Sequence, residues 1–175
     1  MKLSYYLLFL GLLLTLSFCN NNEEGKVGGG ISSVQDNSSQ KNILNIAVGS
    51  KDHSTLVKAV QAAELEDTLA SPGPFTVFAP NNGAFDKLPS GTIETLLKPE
   101  KKGTLEDILF HHVIVGVLKS DDFQDGQDQT MFDGTKVHIT KKDGKVMIDN
   151  ATILVSIPAT NGIIHVVDTV VLPKK

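Results

Sequence analysis

PFTVFAPNNGAFDKLP, residues 74–89, begins as a strand and finishes as a helix. Phe75, Val77 and Ala79 alternate with Thr76 and Phe78, the period of a strand, and Pro80 ends the run. Asn81, Asn82 and Gly83 follow, and then Ala84, Phe85 and Leu88 at helical spacing. Sharp strand-to-helix turns are where acyl-transfer enzymes hold a nucleophile and nucleotide-binding proteins cradle phosphate. This turn carries no Ser, Cys or Thr, and neither the G-x-x-x-x-G-K-[ST] nor the G-x-G-x-x-G pattern. Asn81 and Asn82 read instead as caps, whose side-chain oxygens accept from the unpaired N–H groups of the following helix and contribute about 1 kcal/mol. Phe85 and Leu88 then dock that helix on the core. The turn is predicted to be scaffold, with no catalytic residue.

Upstream, NILNIAVGSKDHSTLVKAVQAAELEDTLA reads helical, with Leu56, Val60 and Ala63 on one stripe and Asp52 or Ser54 as its cap. Downstream, TIETLLKP is a short helix stopped before Pro99, and Thr104 with Asp107 fits a capping box ahead of LEDILFHH. After His112 the chain turns β-branched: VIVGVL, TKVHIT, KVMI, ATILVSI and GIIHVVDTVVL. Turn pairs at Asp133-Gly134, Asp143-Gly144 and Asn161-Gly162 separate some of these runs. Helices come mostly first and strands mostly last, which predicts an α+β domain over residues 41–173 and excludes an alternating parallel-sheet fold. No repeat of 20 to 50 residues is present, which argues against a solenoid or propeller.

The five histidines do not read as a metal site. His111 and His112 are adjacent, so a helix aims them about 100° apart, and His53, His138 and His165 have no ligand-type spacing. His111 and His112 are expected to close a helix C-terminus. IIHVVDTVVL, read as one strand, puts Asp168 on an apolar face with Ile164, Val166, Val170 and Leu172, and His165 on the other. Both are expected to be structural, Asp168 as a buried carboxylate satisfied by local donors. Opposite faces disfavour an acid–base pair. No cofactor or metal is expected.

The N-terminal region gives an address. Met1 to Phe18 reads as a secretory signal, with Lys2 ahead of the 14-residue apolar run YYLLFLGLLLTLSF, short of the roughly 20 residues of a membrane span. Cys19, the only cysteine, follows at once. LSFC resembles a bacterial lipobox, with Phe18 where a small residue is usual, and predicts lipidation at Cys19. Residues 20–40 are polar and rich in Gly, Ser and Asn, a flexible tether with a coil length of roughly 25 Å. The formal net charge is −4 and the chain has no Arg, so the bidentate chemistry and basic footprint of nucleic-acid binding are missing.

Two segments are similar to the signature boxes of the fasciclin-like (FAS1) domain. GPFTVFAPNNGAFDKLP resembles the first, whose usual core is TVFAPTNxAF, and NGIIHVVDTVVLP resembles the second. ILFHHVIVG matches the helix-to-strand segment that normally holds Tyr-His, so the family histidine carries over to His112. Integrin-directed motifs in animal members end in Asp-Ile just before the second box; here Ile157 matches and Ser156 stands where the acid would be. The resemblance implies a wedge of about seven strands with surrounding helices, no enzymatic activity, and His112 and Ile157 as interaction positions. It also implies binding of a protein or glycan in adhesion or envelope association, and with the signal and Cys19 the expectation is a monomeric, extracytoplasmic module, lipid-anchored to a bacterial membrane in the periplasm or at the surface. The alternative is a carrier for an apolar small molecule.

Overall fold

The computed structural model describes residues 41–173. The expected signal, Cys19 and tether lie outside the described residues. The chain begins with helices α1 (Ile43–Gly49), α2 (Ser54–Ala62) and α3 (Glu66–Ala70), followed by strand β1 (Phe75–Pro80). Helices α4 (Asn82–Asp86), α5 (Thr92–Leu96) and α6 (Lys102–Phe110) come next. Strands β2 (Val113–Val115), β3 (Asp128–Thr130), β4 (Lys136–Lys142), β5 (Lys145–Ile148), β6 (Ala151–Ala159) and β7 (Gly162–Val167) complete the fold. The order of the seven-stranded sheet is β2-β1-β7-β6-β5-β4-β3. The α+β expectation holds.

The first strand and the last meet in mid-sheet. β1 and β7 pair in parallel from Phe75↔Gly162 to Pro80↔Val167, whereas every other pairing is antiparallel. Strand alternation sends Val77, Ala79, Ile164 and Val166 toward α1 and α2, where they pack with Ile43, Leu56 and Val60. The other face of the same strands sends Phe78 and Val167 into a second cluster with Val137, Ile139, Val146, Ile148 and Phe123. Ala59, Ala63 and Leu105 join α2 to α6.

Four sequence expectations are corrected. The single helical reading of residues 42–70 is three helices, broken at Ser50 and around Glu64, which has φ 56°. Neither Asp52 nor Ser54 caps α2: Ser54 is its first residue, and His53, at the cap position, makes no capping bond. The capping box at Thr104 does not form, because a 3₁₀ turn at Pro99–Lys101 feeds α6 from Lys102 and leaves Thr104 inside the helix. The last strand stops at Val167, so Asp168 leaves the sheet, and β3 was not anticipated.

Candidate functional site

The quoted turn resolves into two different caps. Asn81 Oδ1 accepts from Ala84 N–H at 2.8 Å and closes the start of α4 as expected. Asn82 does something else: its Oδ1 accepts from Thr55 N–H at 3.1 Å and its Nδ2 donates to Lys51 O at 3.0 Å. It therefore caps α2, a helix whose own sequence supplies no cap. Phe85 is half-buried and packs on the helix-side core.

The turn at the far end of β6 is an anchor that the sequence reading missed. Asn161 Oδ1 accepts from Ile43 N–H at 2.9 Å, at the start of α1. Its Nδ2 donates to Leu69 O at 2.9 Å and Ser71 O at 2.8 Å, where α3 ends. Its backbone carbonyl accepts from Phe75 N–H at 3.1 Å, where β1 begins. Gly162 follows because a Cβ there would run into the Phe75 carbonyl.

Four histidines, His53, His111, His112 and His165, are internal, and His138 is exposed. His165 is fully buried between Phe78 and Phe123, with ring centroids 5.6 Å from each. Its Nε2–H donates to Leu118 O at 2.8 Å, which leaves Nδ1 to accept from Ser156 Oγ at 2.8 Å. Ser156 Oγ in turn lies 2.6 Å from Ser120 Oγ. Burial pulls the His165 pKa down, against the opposing bond to Leu118, so the ring is neutral. His111 is buried, and its Nδ1–H points at Asp133 Oδ2, 2.8 Å away, and at Thr135 Oγ1, 2.6 Å away. His112 is 4% exposed. Its Nδ1–H donates to Ile108 O at 2.8 Å and its Nε2 accepts from Val171 N–H at 3.1 Å. His112 is thus corrected as an interaction position: no face of it is free for a partner.

Asp168 is also corrected. Its side chain is 34% exposed at the strand end, not buried on an apolar face. Oδ1 accepts from Thr152 N–H at 2.8 Å and from Thr169 Oγ1 at 3.1 Å, and Lys87 Nζ lies 3.7 Å from Oδ2. Partial burial pushes its pKa up, but these donors and the lysine together hold it below the usual carboxylate value.

No cluster of three or more His, Cys, Asp or Glu that could hold a metal occurs among the described residues. Two apolar cavities, of about 50 and 30 Å³, sit between the helices and the sheet. A wider depression of about 570 Å³ is open to solvent and offers only His138, Asp149, Asn150, Val170 and Leu172. Exposed apolar side chains occur instead on strands and turns. Leu154 and Val155 are 54% and 50% exposed at an irregularity in the β6–β7 register, immediately before Ser156 and Ile157. Ile157 itself is half-buried against the helix-side core.

The fasciclin domain family model matches residues 51–173. The chain belongs to the fasciclin domain family. Its fasciclin domain is 46% identical over 132 residues to protein sll1483 of Synechocystis, covering 75% of this chain and 73% of the relative. The cell surface glycolipoprotein MPB83 of Mycobacterium bovis is 36% identical over 126 residues, 69% of this chain and 55% of that one. Among solved structures, a FAS1 domain pair from the insect cell adhesion molecule Fasciclin I aligns with a TM-score of 0.68 at 19% identity. That alignment covers 77% of this chain and 52% of that one, and the likeness is one of fold. In this fasciclin domain the Ser156 hydroxyl is turned into the Ser120–Ser156–His165 chain of hydrogen bonds.

Proposed function

We propose that this chain is a non-catalytic, membrane-tethered extracytoplasmic module that binds a protein or glycan partner in adhesion or cell-envelope association. The observation that carries the reading is the pairing of Leu154 and Val155, exposed on β6 directly beside the position used for recognition in animal members. An exposed apolar pair on a strand is an anchor for a partner surface, with the polar groups around it as rim. The inward Ser156 hydroxyl supports a partner other than an integrin, because no carboxylate is offered there to a partner's metal ion. Apolar cavities of about 50 and 30 Å³ between helices and sheet fall well below the roughly 300–1,000 Å³ of a ligand pocket, which disfavours the carrier reading. Acylation of Cys19 would supply the tether, and the naming of a mycobacterial relative as a cell surface glycolipoprotein supports it.

Leu154→Asp with Val155→Asp should abolish retention of the purified domain on envelope fractions while leaving its melting temperature within a few degrees. Retained binding by the double variant refutes the β6 anchor. Cys19→Ser should move the protein from membranes to the soluble fraction. A wild-type chain that incorporates no fatty-acid probe refutes the lipid tether.

A further inference from the structure

His112 lines both apolar cavities. Apart from Thr55 and Thr68, every other side chain lining them is apolar. The imidazole joins the last turn of α6, through Ile108 O, to the segment after β7, through Val171 N–H. Val171 is buried in the sheet-side core, and its neighbours Val170 and Leu172 wall the second cavity beside Leu88, Ile93 and Leu97. The hydrogen bond from Val171 requires a bare Nε2. A protonated ring would set one N–H against another, because the partner the structure gives Nε2 is itself a donor, the Val171 N–H.

We propose that His112 is an acid-sensitive latch: protonation of Nε2 displaces the Val171 N–H and frees residues 170–172 from α6, uncovering the second cavity as an apolar groove. The charged and titratable groups acting on the ring are His111, on the same element, and Asp133, in the turn between β3 and β4. No titratable side chain from α2, α4, α5 or residues 170–172 lines either cavity. Desolvation, aided by His111 and opposed by the Ile108 bond and Asp133, pulls the His112 pKa from 6.5 to about 4. A folded value below the unfolded one means that protons favour the opened segment. The latch is therefore fully set above about pH 6.5 and weakens as pH falls through about 4. Over that window opening should rise about tenfold per pH unit, roughly 300-fold in all, and then level off.

Amide hydrogen exchange read by NMR on the full domain, corrected for the intrinsic pH dependence of exchange, tests this. The Val171 amide should show the rise between pH 6.5 and 4, while the central amides of β1 and β7 open far less. His112→Gln, whose carbonyl can accept from Val171 N–H but does not titrate, should show a flat profile. The same rise in His112→Gln, or strand amides opening in step with Val171, overturns the latch. If that variant does not fold, the wild-type imidazole is titrated directly. Coincidence of its midpoint with the Val171 amide shift supports the latch, and a mismatch of a pH unit or more overturns it.

Discussion

Replacing Asn161 with Ala should remove more stability than any other single surface-turn change in this domain. Three side-chain hydrogen bonds disappear together: the acceptor for Ile43 N–H and the donors to Leu69 O and Ser71 O. At about 1 kcal/mol each the loss is about 3 kcal/mol. The Ile43 end matters most, because that residue is buried and its N–H would have no water to turn to, whereas the carbonyls at the end of α3 are partly exposed. For a domain of this length the change should lower the melting temperature by about 10 °C. Asn161→Asp makes a sharper test. It keeps the acceptor but aims a carboxylate at two carbonyl oxygens, so at pH 7 it should be at least as damaging as Ala. Those carbonyls raise the folded-state pKa of the new carboxyl above its unfolded value. The penalty should therefore be greatest above that raised pKa and shrink as pH falls through it. Urea unfolding of the three proteins at pH 7 and pH 4.5 measures both effects. A loss under 1 kcal/mol in Asn161→Ala, or an aspartate variant no better in acid than at neutrality, would refute the anchor.

Asn81→Ala and Asn82→Ala should each cost about 0.5–2 kcal/mol. Hydrogen exchange should separate them: the first loosens the start of α4, the second the start of α2, and the reverse assignment refutes the split. Asp168→Ala should cost about 1–2 kcal/mol by leaving Thr152 N–H unpaired, in a difference in urea midpoint that shrinks as pH falls through the lowered pKa of the wild-type carboxylate. His53 and His165 both have pKa values lowered chiefly by burial, so the unfolded chain binds more protons in mild acid. The urea midpoint should accordingly fall as pH drops below about 6.5, and an unchanged midpoint between pH 7.5 and 5 counts against neutral buried rings. Gly162→Ala should prevent the close approach of β7 to the Phe75 carbonyl, and a variant with wild-type thermal stability would show that the approach is dispensable.

The sequence carried the alternation of β1, the β-branched runs and the family boxes, because those follow from period and from residue type alone. What it concealed depends on partners far along the chain. Asn82 looks like a local cap, yet its acceptor serves Thr55, on a helix that ended 20 residues earlier. Asn161-Gly162 looks like a turn pair, and the turn signature masked three tertiary bonds. Asp168 was misplaced for a different reason: the apolar residues after it continue the strand's period although β7 has ended, and Val170 and Val171 are buried by packing and by the bond from Val171 N–H to His112, not by strand pairing. The hydroxyls of Ser120 and Ser156 gave no signal, since a serine that serves a buried imidazole is indistinguishable in sequence from one at the surface.

The parallel seam between β1 and β7 has a consequence for how the domain is made. Its middle strand pair joins residues nearly ninety positions apart, from Phe75 to Gly162 and onward. Closing a loop of that length costs about 4 kcal/mol of chain entropy beyond a constant, and no shorter pairing can stand in for it. A growing chain that has not yet reached Asn161 has β1 held on one side only, the helix-side core without Ile164 and Val166, and α1 without its anchor. The domain therefore cannot complete its fold until β7 has been made. Until that strand emerges the polypeptide lacks its native seam, the condition in which a chain can still be passed through a narrow translocation pore.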